Sequence, residues 1–226
     1  MRIVLFGAPG SGKGTQAEML AERFGLPKIS LGDILRDEVR KGSDLGLKVK
    51  EIMERGDLVS DDLVEKVVEQ NLNSDGFILD GYPRNQKQAE TLDSILSRTN
   101  SAIDAFICLD VSPDIIINRL SKRRVCRACK VNYHLDSSPP KKDSLCDFCG
   151  AKLTQRSDDA PEVIRKRLKV FAEKSKGVFD FYKEKGIFFL VDGNKKIEEV
   201  LSEIKSRLEK SLGGLSGKIR GHKNES

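Results

Sequence analysis

Residues 7–15 read GAPGSGKGT, four glycines and one lysine in nine positions. An apolar run at 3–6 enters this stretch, and a helical pattern leaves it at Lys13. Gly7, Gly10, Gly12 and Gly14 let the backbone turn tightly and come close to an anion. Successive N–H groups then converge into an anion nest, with the positive end of the following helix behind them. Lys13 adds a mobile cation for a transferring phosphate. Strand, loop, lysine and helix in register read as a phosphate-binding loop, with Gly10, Ser11, Gly12, Lys13, Gly14 and Thr15 around the phosphates. The position after the lysine usually carries a hydroxyl for magnesium. Here it is Gly14, and Thr15 lies about 100° further round the helix. The expectation is a metal held mainly by phosphates and waters, travelling with its nucleotide.

Working outward, 77–79, 106–109 and 187–191 are also continuous apolar runs, as parallel strands buried on both faces require. A short strand is expected at 28–30. Helical patterns lie between: 13–24 aligns Ala17, Leu20, Ala21 and Phe24 before a stop at Gly25, and 86–97 aligns Ala89, Leu92 and Leu96. Alternating strands and helices predict an α/β fold, a doubly wound parallel sheet. Two segments interrupt the alternation. Residues 31–59 carry helical patterns punctuated by Gly42, Gly46 and Gly56. Residues 119–156 are basic and hold four of the five cysteines. Both read as insertions rising from the sheet core.

The 226 residues suffice for one large domain with insertions. Charged residues make up 33% and hydrophobic ones 38%, which excludes a disordered chain. No apolar run reaches the length of a membrane helix, and the N-terminal strand does not resemble a secretory signal. A net charge of +5 fits either an ordinary basic surface or a cationic site for anionic substrates. Part of it lies in a Gly-rich basic end, 213–226, expected to be a frayed tail that contains the uninformative His222.

The run at 77–79 leads into Asp80, Gly81, Tyr82, Pro83 and Arg84. A carboxylate at the C-terminal end of a parallel strand can hold magnesium or its waters if that strand neighbours the loop's own. Further on, Asp159 precedes APE, a pattern that reads as an Asp cap followed by a helix with an early proline. In that helix Arg167 falls in the same row as Val163 and Phe171, inside the apolar stripe with Ile164 and Leu168. A charge there needs an anionic partner or a route to water.

GAPGSGKGTQA, DGYPR at 80–84, RRV at 123–125 and QRSDD at 155–159 together resemble the adenylate kinase family of nucleoside-monophosphate kinases, in order and spacing, over residues 1 to about 210. The resemblance implies magnesium-dependent, reversible transfer of the terminal phosphoryl group of ATP to AMP, giving two ADP. It implies a core at 1–29, 60–118 and 157–212, an AMP-binding domain at 30–59 and a lid at 119–156. By the same resemblance the catalytic cations are Lys13, Arg84, Arg123, Arg156 and Arg167, with Asp80. Arg119 stacks on the ATP adenine, and Arg123 and Arg156 descend with the lid. AMP falls to Leu31, Gly32, Arg36, Leu58, Val59, Gly81, Arg84 and Gln88, with Arg156 and Arg167. Asp158 and Asp159 orient lid arginines, and for Asp159 the capping reading stands beside this one. The family commonly has Thr where this chain has Leu31, which leaves a pyrimidine monophosphate open as acceptor.

Cys126, Cys129, Cys146 and Cys149 form C-x2-C-x16-C-x2-C, the spacing of a zinc ribbon. Four thiolates would close a tetrahedron with no open position, so a structural zinc is expected, with iron as the other metal and disulfides as the other chemistry. Neighbouring Arg123, Arg124, Arg127 and Lys130 are expected to offset the cluster's negative charge. Cys108 reads as inert core, and His134 as a surface or packing residue. The whole points to a cytoplasmic monomer without nucleic-acid or membrane partners. The rivals are a kinase for another monophosphate and, in a different class, a zinc-ribbon nucleic-acid-binding ATPase.

Overall fold

The apolar run after Met1 forms β1 (Arg2–Gly7), and the glycine loop delivers the chain into α1 (Lys13–Phe24). The computed structural model describes residues 1–72 and 76–211; the tail with His222 lies outside the described residues. After α1 come β2 (Lys28–Ser30), α2 (Leu31–Lys41), α3 (Asp44–Glu54) and α4 (Asp61–Asn71). The chain continues through β3 (Phe77–Asp80), α5 (Gln86–Ser97), β4 (Ala105–Asp110) and α6 (Pro113–Ser121). Three short strands follow: β5 (Arg123–Cys126), β6 (Asn132–His134) and β7 (Leu153–Thr154). Then come α7 (Pro161–Glu184), β8 (Phe188–Asp192) and α8 (Ile197–Ser211).

The large sheet has five strands, ordered β2-β3-β1-β4-β8, and all its pairings are parallel. Alternate residues of β1 show why its strands read as unbroken apolar runs. Ile3 and Leu5 pack with Ala17, Leu20, Val200 and Ile204 of α1 and α8. Val4 and Phe6 pack on the opposite face with Val67, Leu92, Val178 and Tyr182 of α4, α5 and α7. Both faces are covered by helices, so neither set of side chains can be polar. The strands run one residue or so further than the apolar runs, through polar ends such as Asp80 and Asp110.

The helical insertion corrects one expectation. Gly46 does not break the chain; it lies inside α3. A Cβ there would sit 2.1 Å from the Glu38 carbonyl oxygen, so glycine is what lets α3 press onto the end of α2. Gly46→Ala is expected to lower the melting temperature by about 3–10 °C, from an overpacking cost of roughly 1–3 kcal/mol. Calorimetry on the purified variant reads this directly, and an unchanged transition would mean that the helices separate at little cost.

The start of α7 corrects another. Asp159 is not its cap. The helix begins at Pro161, with Ala160 in the capping position and no side-chain cap bond. Asp159 closes a 3-10 turn, Ser157–Asp159, and is fully buried. Its carboxylate is used by an arginine instead, which outweighs capping because a buried charge needs a full counter-charge.

The second sheet is antiparallel, ordered β6-β5-β7, and bears the four cysteines at one end. Its own buried set is small: Cys126, Tyr133, Cys146 and Leu153, with Val131 and Ala151 against them.

Candidate active site

β1 and β3 are neighbours, with Leu5 opposite Asp80, so the carboxylate that ends β3 stands beside the loop that leaves β1. In that loop Gly10 has φ +84 and Gly12, the cap of α1, φ +96, both in the region that side chains disfavour. A Cβ on Gly10 would also lie 2.7 Å from Leu120 of α6. Ser11 Oγ is buried without a hydrogen-bond partner among the described residues, at 2% exposure. A buried hydroxyl left open inside an anion nest is a site waiting for an oxyanion. Gly14 faces Asp80: a Cβ there would be 3.5 Å from Asp80 Oδ2. Ser30 Oγ, from the end of β2, is also 3.5 Å from that oxygen. Thr15 points out to solvent.

Lys13 Nζ donates to the carbonyls of Gly7 and Ala8, each at 2.8 Å. Burial lowers its pKa to about 8; the field of Asp80 works against the shift, and Arg84 and Arg167 add to it. Arg84 donates through Nε to the Gly81 carbonyl at 2.8 Å, and burial brings its pKa down to about 10. Burial also lowers Arg167, which ion-pairs with Asp158 at 2.8 Å and lies 3.8 Å from Asp159. The charge in the apolar stripe of α7 therefore has its anionic partner.

Lys13, Arg36, Arg84 and Arg167 line one cavity of about 120 Å³ together with Leu31, Gly32, Leu58, Val59, Gly81 and Gln88. Most of the residues picked from the sequence for the monophosphate thus share one wall-to-wall space. Arg156 is not among them; it lines the neighbouring cleft between α2 and the small sheet. There it donates to Asn132 Oδ1 at 3.1 Å and lies 3.7 Å from Asp33. Burial lowers Arg156 to about 9, with Arg123 and Arg36 adding to the shift. Arg123 makes two bonds to Asp159, of 2.8 and 2.5 Å. Arg119 turns its guanidinium to the Gly193 carbonyl at 2.9 Å and the Ser11 carbonyl at 3.4 Å, beside the glycine loop.

The four cysteine Sγ atoms lie within 4.8 Å of one another, with separations of 3.3 Å (Cys129–Cys146), 3.4 Å (Cys126–Cys149) and 3.6 Å (Cys129–Cys149). Sulfurs about 2.3 Å from a tetrahedral zinc stand about 3.8 Å apart, so the set fits such an ion. These separations are far beyond a disulfide bond of about 2.05 Å. The Tyr133 hydroxyl, 3.5 Å from Cys146 Sγ, holds that thiol well below its ordinary range and so favours the thiolate a metal requires. The nearby cations also have partners outside the cluster. Arg127 bonds Thr154, Lys130 pairs with Asp37, and Arg124 donates to the carbonyls of Ser121 and Arg123. His134 stands apart: its Nδ1 accepts from the backbone N–H groups of Asp136 and Ser137. Cys108 is buried in β4, and burial pushes its thiol up to about 12.

The sequence profile of the adenylate kinase family matches residues 5–187. The chain belongs to the adenylate kinase family. It is 46% identical over 214 residues to the adenylate kinase of Archaeoglobus fulgidus, covering 93% of this chain and 99% of that protein. With the adenylate kinase of Thermotoga neapolitana the identity is 49% over 207 residues, 89% of this chain and 94% of the other. The adenylate kinase of Caldanaerobacter subterraneus is 46% identical over 212 residues, 92% of this chain and 96% of the other.

Sequence reasoning missed two carboxylates at this adenylate kinase site. Asp33, one turn before Arg36, pairs with it at 2.7 Å. Burial alone would raise this carboxyl, but Arg36 and Arg156 outweigh burial and hold it at about 2. An acid three positions before an arginine on a helix is the local signal that would have found it. Asp61 bonds Gln88 and Asn85 across 27 and 24 residues, for which no local signal exists.

Proposed function

We propose that this chain transfers the terminal phosphoryl group of ATP to AMP, giving two ADP. The observation that carries the reading is the gathering of Lys13, Arg36, Arg84 and Arg167 around one cavity beside the glycine loop. With Lys174, five cations line that space, and burial holds Lys13, Arg84 and Arg167 below their ordinary pKa values. Such a site is complementary to an oxyanion-rich ligand.

The chemistry asks for little else. An oxygen of the AMP phosphate attacks the γ-phosphorus in line, the bond to the β-phosphate oxygen breaks, and the electron pair leaves with ADP. The nucleophile is already an anion, so no general base is needed; the protein positions and neutralises. The loop N–H groups and Ser11 cradle the donor phosphates, Lys13 bridges to the moving group, and Arg36 and Arg84 hold the acceptor phosphate. Arg123, Arg156 and Arg167 gather the charge spread over the equatorial oxygens, oriented by Asp159, Asp33 and Asp158. Arg119, beside the loop, packs against the donor base. Asp80, with Ser30 and Gly14 beside it, would hold the waters of a magnesium ion brought with ATP. That ion neutralises phosphate charge when bound.

In this reading 30–59 is the AMP-binding unit and 119–156 the lid, and the cysteine cluster holds a structural zinc. The two meet already: Arg40 of α2 donates to the Arg127 carbonyl at 2.6 Å, and Asp37 pairs with Lys130. Closure of this kind excludes water that would otherwise take the phosphoryl group. The site as read is complete without a residue from a second chain, which suits the monomer we propose, and we propose the cytoplasm as its location.

The test is a transfer assay with ATP and magnesium, offering AMP, CMP, UMP or GMP in turn and reading diphosphates. Strong ADP formation with AMP alone is expected. Preference for a pyrimidine would trace to Leu31, and hydrolysis without transfer would overturn the kinase reading.

The depressed Lys13 also predicts a pH dependence. In the empty site the ammonium loses its proton as pH rises through about 8. A bound phosphate favours the charged form and raises that value. Nucleotide affinity is therefore constant below this pH and falls above it, by up to about tenfold per unit until the liganded pKa is reached. Titration calorimetry with a non-hydrolysable ATP analogue between pH 7 and 9 reads both the decline and the proton uptake. A flat profile would place Lys13 away from the phosphates.

A further inference from the structure

Gln88 is 3% exposed and lines the cavity with Arg84 and Val59. Its side-chain amide is held from both ends. The backbone N–H of Arg84 donates to Oε1 at 2.7 Å, and Nε2 donates to Asp61 Oδ1 at 2.7 Å. Neither partner can exchange roles: a backbone N–H only donates, and a carboxylate only accepts. Turning the amide over would set N–H against N–H and oxygen against carboxylate. Asp61 is in turn fixed by Asn85, whose Nδ2 donates to the same oxygen at 3.0 Å and whose Oδ1 accepts from the Gln88 backbone N–H at 2.8 Å. The Gln88 carbonyl accepts from Tyr82 at 3.0 Å, so the residue is anchored at backbone and side chain alike.

After these bonds the amide retains one Nε2 hydrogen and one Oε1 lone pair. That pair of functions complements a base edge carrying a ring-nitrogen acceptor beside an exocyclic amino group, as adenine does. An oxo base of the same size, hypoxanthine, presents a ring N–H beside a carbonyl oxygen and needs the amide turned over.

We propose that Asp61 is a specificity-determining positioning residue, which locks the Gln88 amide in the orientation that accepts a 6-amino purine monophosphate and rejects a 6-oxo one. It touches no substrate and acts through Gln88. The inference rests on the kinase reading above and on AMP entering this cavity.

The experiment compares AMP with IMP, two acceptors of equal size, in the wild-type protein and two variants. Asp61→Leu keeps the shape and removes the acceptor; Asp61→Asn removes the charge but keeps an oxygen for Nε2. In D61L the ratio of kcat/KM for AMP to that for IMP is expected to fall at least about tenfold, since the wrong orientation no longer faces a carboxylate. Most of the loss with AMP should lie in KM, with kcat within about threefold. D61N should keep the selectivity ratio within about threefold of wild type. A variant that merely loosens the fold would slow both acceptors alike and leave the ratio untouched. Should D61L fail to fold, Asp61→Ser, acceptable in the first turn of α4 and too short to reach Nε2, is expected to give the same fall. An unchanged ratio in D61L or D61S overturns the proposal, as does an equal fall in D61N, which would make charge rather than the acceptor decisive. A wild-type protein with no turnover of AMP overturns the kinase reading itself, and this inference with it; turnover of AMP with an unmoved ratio overturns this inference alone.

Discussion

Lys13→Met is expected to lower kcat by about 10³-fold, the scale seen when a preorganised cation or donor is taken from a developing oxyanion. Lys13 leads α1 directly out of the glycine loop, with Asp80 nearby and Arg84 and Arg167 facing it. Its ammonium is costly to keep: burial lowers its pKa to about 8, so in the empty protein the charge is less stable than it would be in water. The sign matters for the control. A group whose folded pKa is lowered costs stability below that pKa, and the cost fades as pH rises toward the unfolded value. At neutral pH methionine removes this cost, while it leaves the Gly7 and Ala8 carbonyls without the ammonium. The melting temperature of the variant should stay within about 3 °C of wild type while activity collapses. Activity surviving within tenfold would remove Lys13 from the reaction path. A large fall in melting temperature would show that the lysine is chiefly structural. The combination expected here, inactive but equally stable, marks a residue retained for its ligand.

The contrast between Lys13 and Asp61 shows what the sequence could reveal. Lys13 is legible because loop, strand and helix are local, and the loop itself brings the Gly7 and Ala8 carbonyls to it. The helices at 13–24 and 86–97 and the strand at 28–30 were legible for the same reason. So were the parallel strands, whose apolar runs reflect burial on both faces; only end residues differed, such as Arg2, Asp80 and Asp110, because a strand continues to pair after it leaves the core, and Ile187 falls just outside its strand. Asp61 is a polar residue among polar residues, Ser60 and Asp62, and nothing near it in the chain announces Gln88. Asp37 and Lys130 are 93 residues apart and meet only because α2 and the small sheet face one another. Asp159 was misread by the converse error. Its local pattern, an acid before Ala-Pro-Glu, is a sound capping signal, but the carboxylate is fully buried and pairs with Arg123 from another element instead. Local signals are decisive where the chain folds on its neighbours, and they fail where an ion pair is closed by tertiary structure.

Removal of metal from the cysteine cluster should cost more structure than any single core substitution. The small sheet has a short list of buried residues, two of them the ligand candidates Cys126 and Cys146. Leu135 and Leu145 are part-exposed and Phe148 is 77% exposed, so apolar side chains near the cluster do not build a second core. A unit of under about forty residues seldom holds itself together without a staple. Structural zinc in finger peptides contributes about 10–16 kcal/mol, and here the tethering of both ends to α6 and α7 reduces what depends on the ion. We expect a thiol reagent with a chelator to release one zinc per chain. The segment between α6 and α7 should then become the first site of proteolysis, and the melting temperature should drop by roughly 10 °C, corresponding to about 3–5 kcal/mol. Arg123 lies on β5 of this sheet, one residue after Lys122, so its bond to Asp159 should loosen as well and kcat should fall with the sheet. The cavity at Lys13 and Arg84 is built on the large sheet and the helical insertion, so AMP affinity should change by less than about threefold. Release of zinc without proteolytic exposure would mean that the antiparallel strands hold on their own. A parallel loss of AMP binding would mean that the two sheets do not unfold separately.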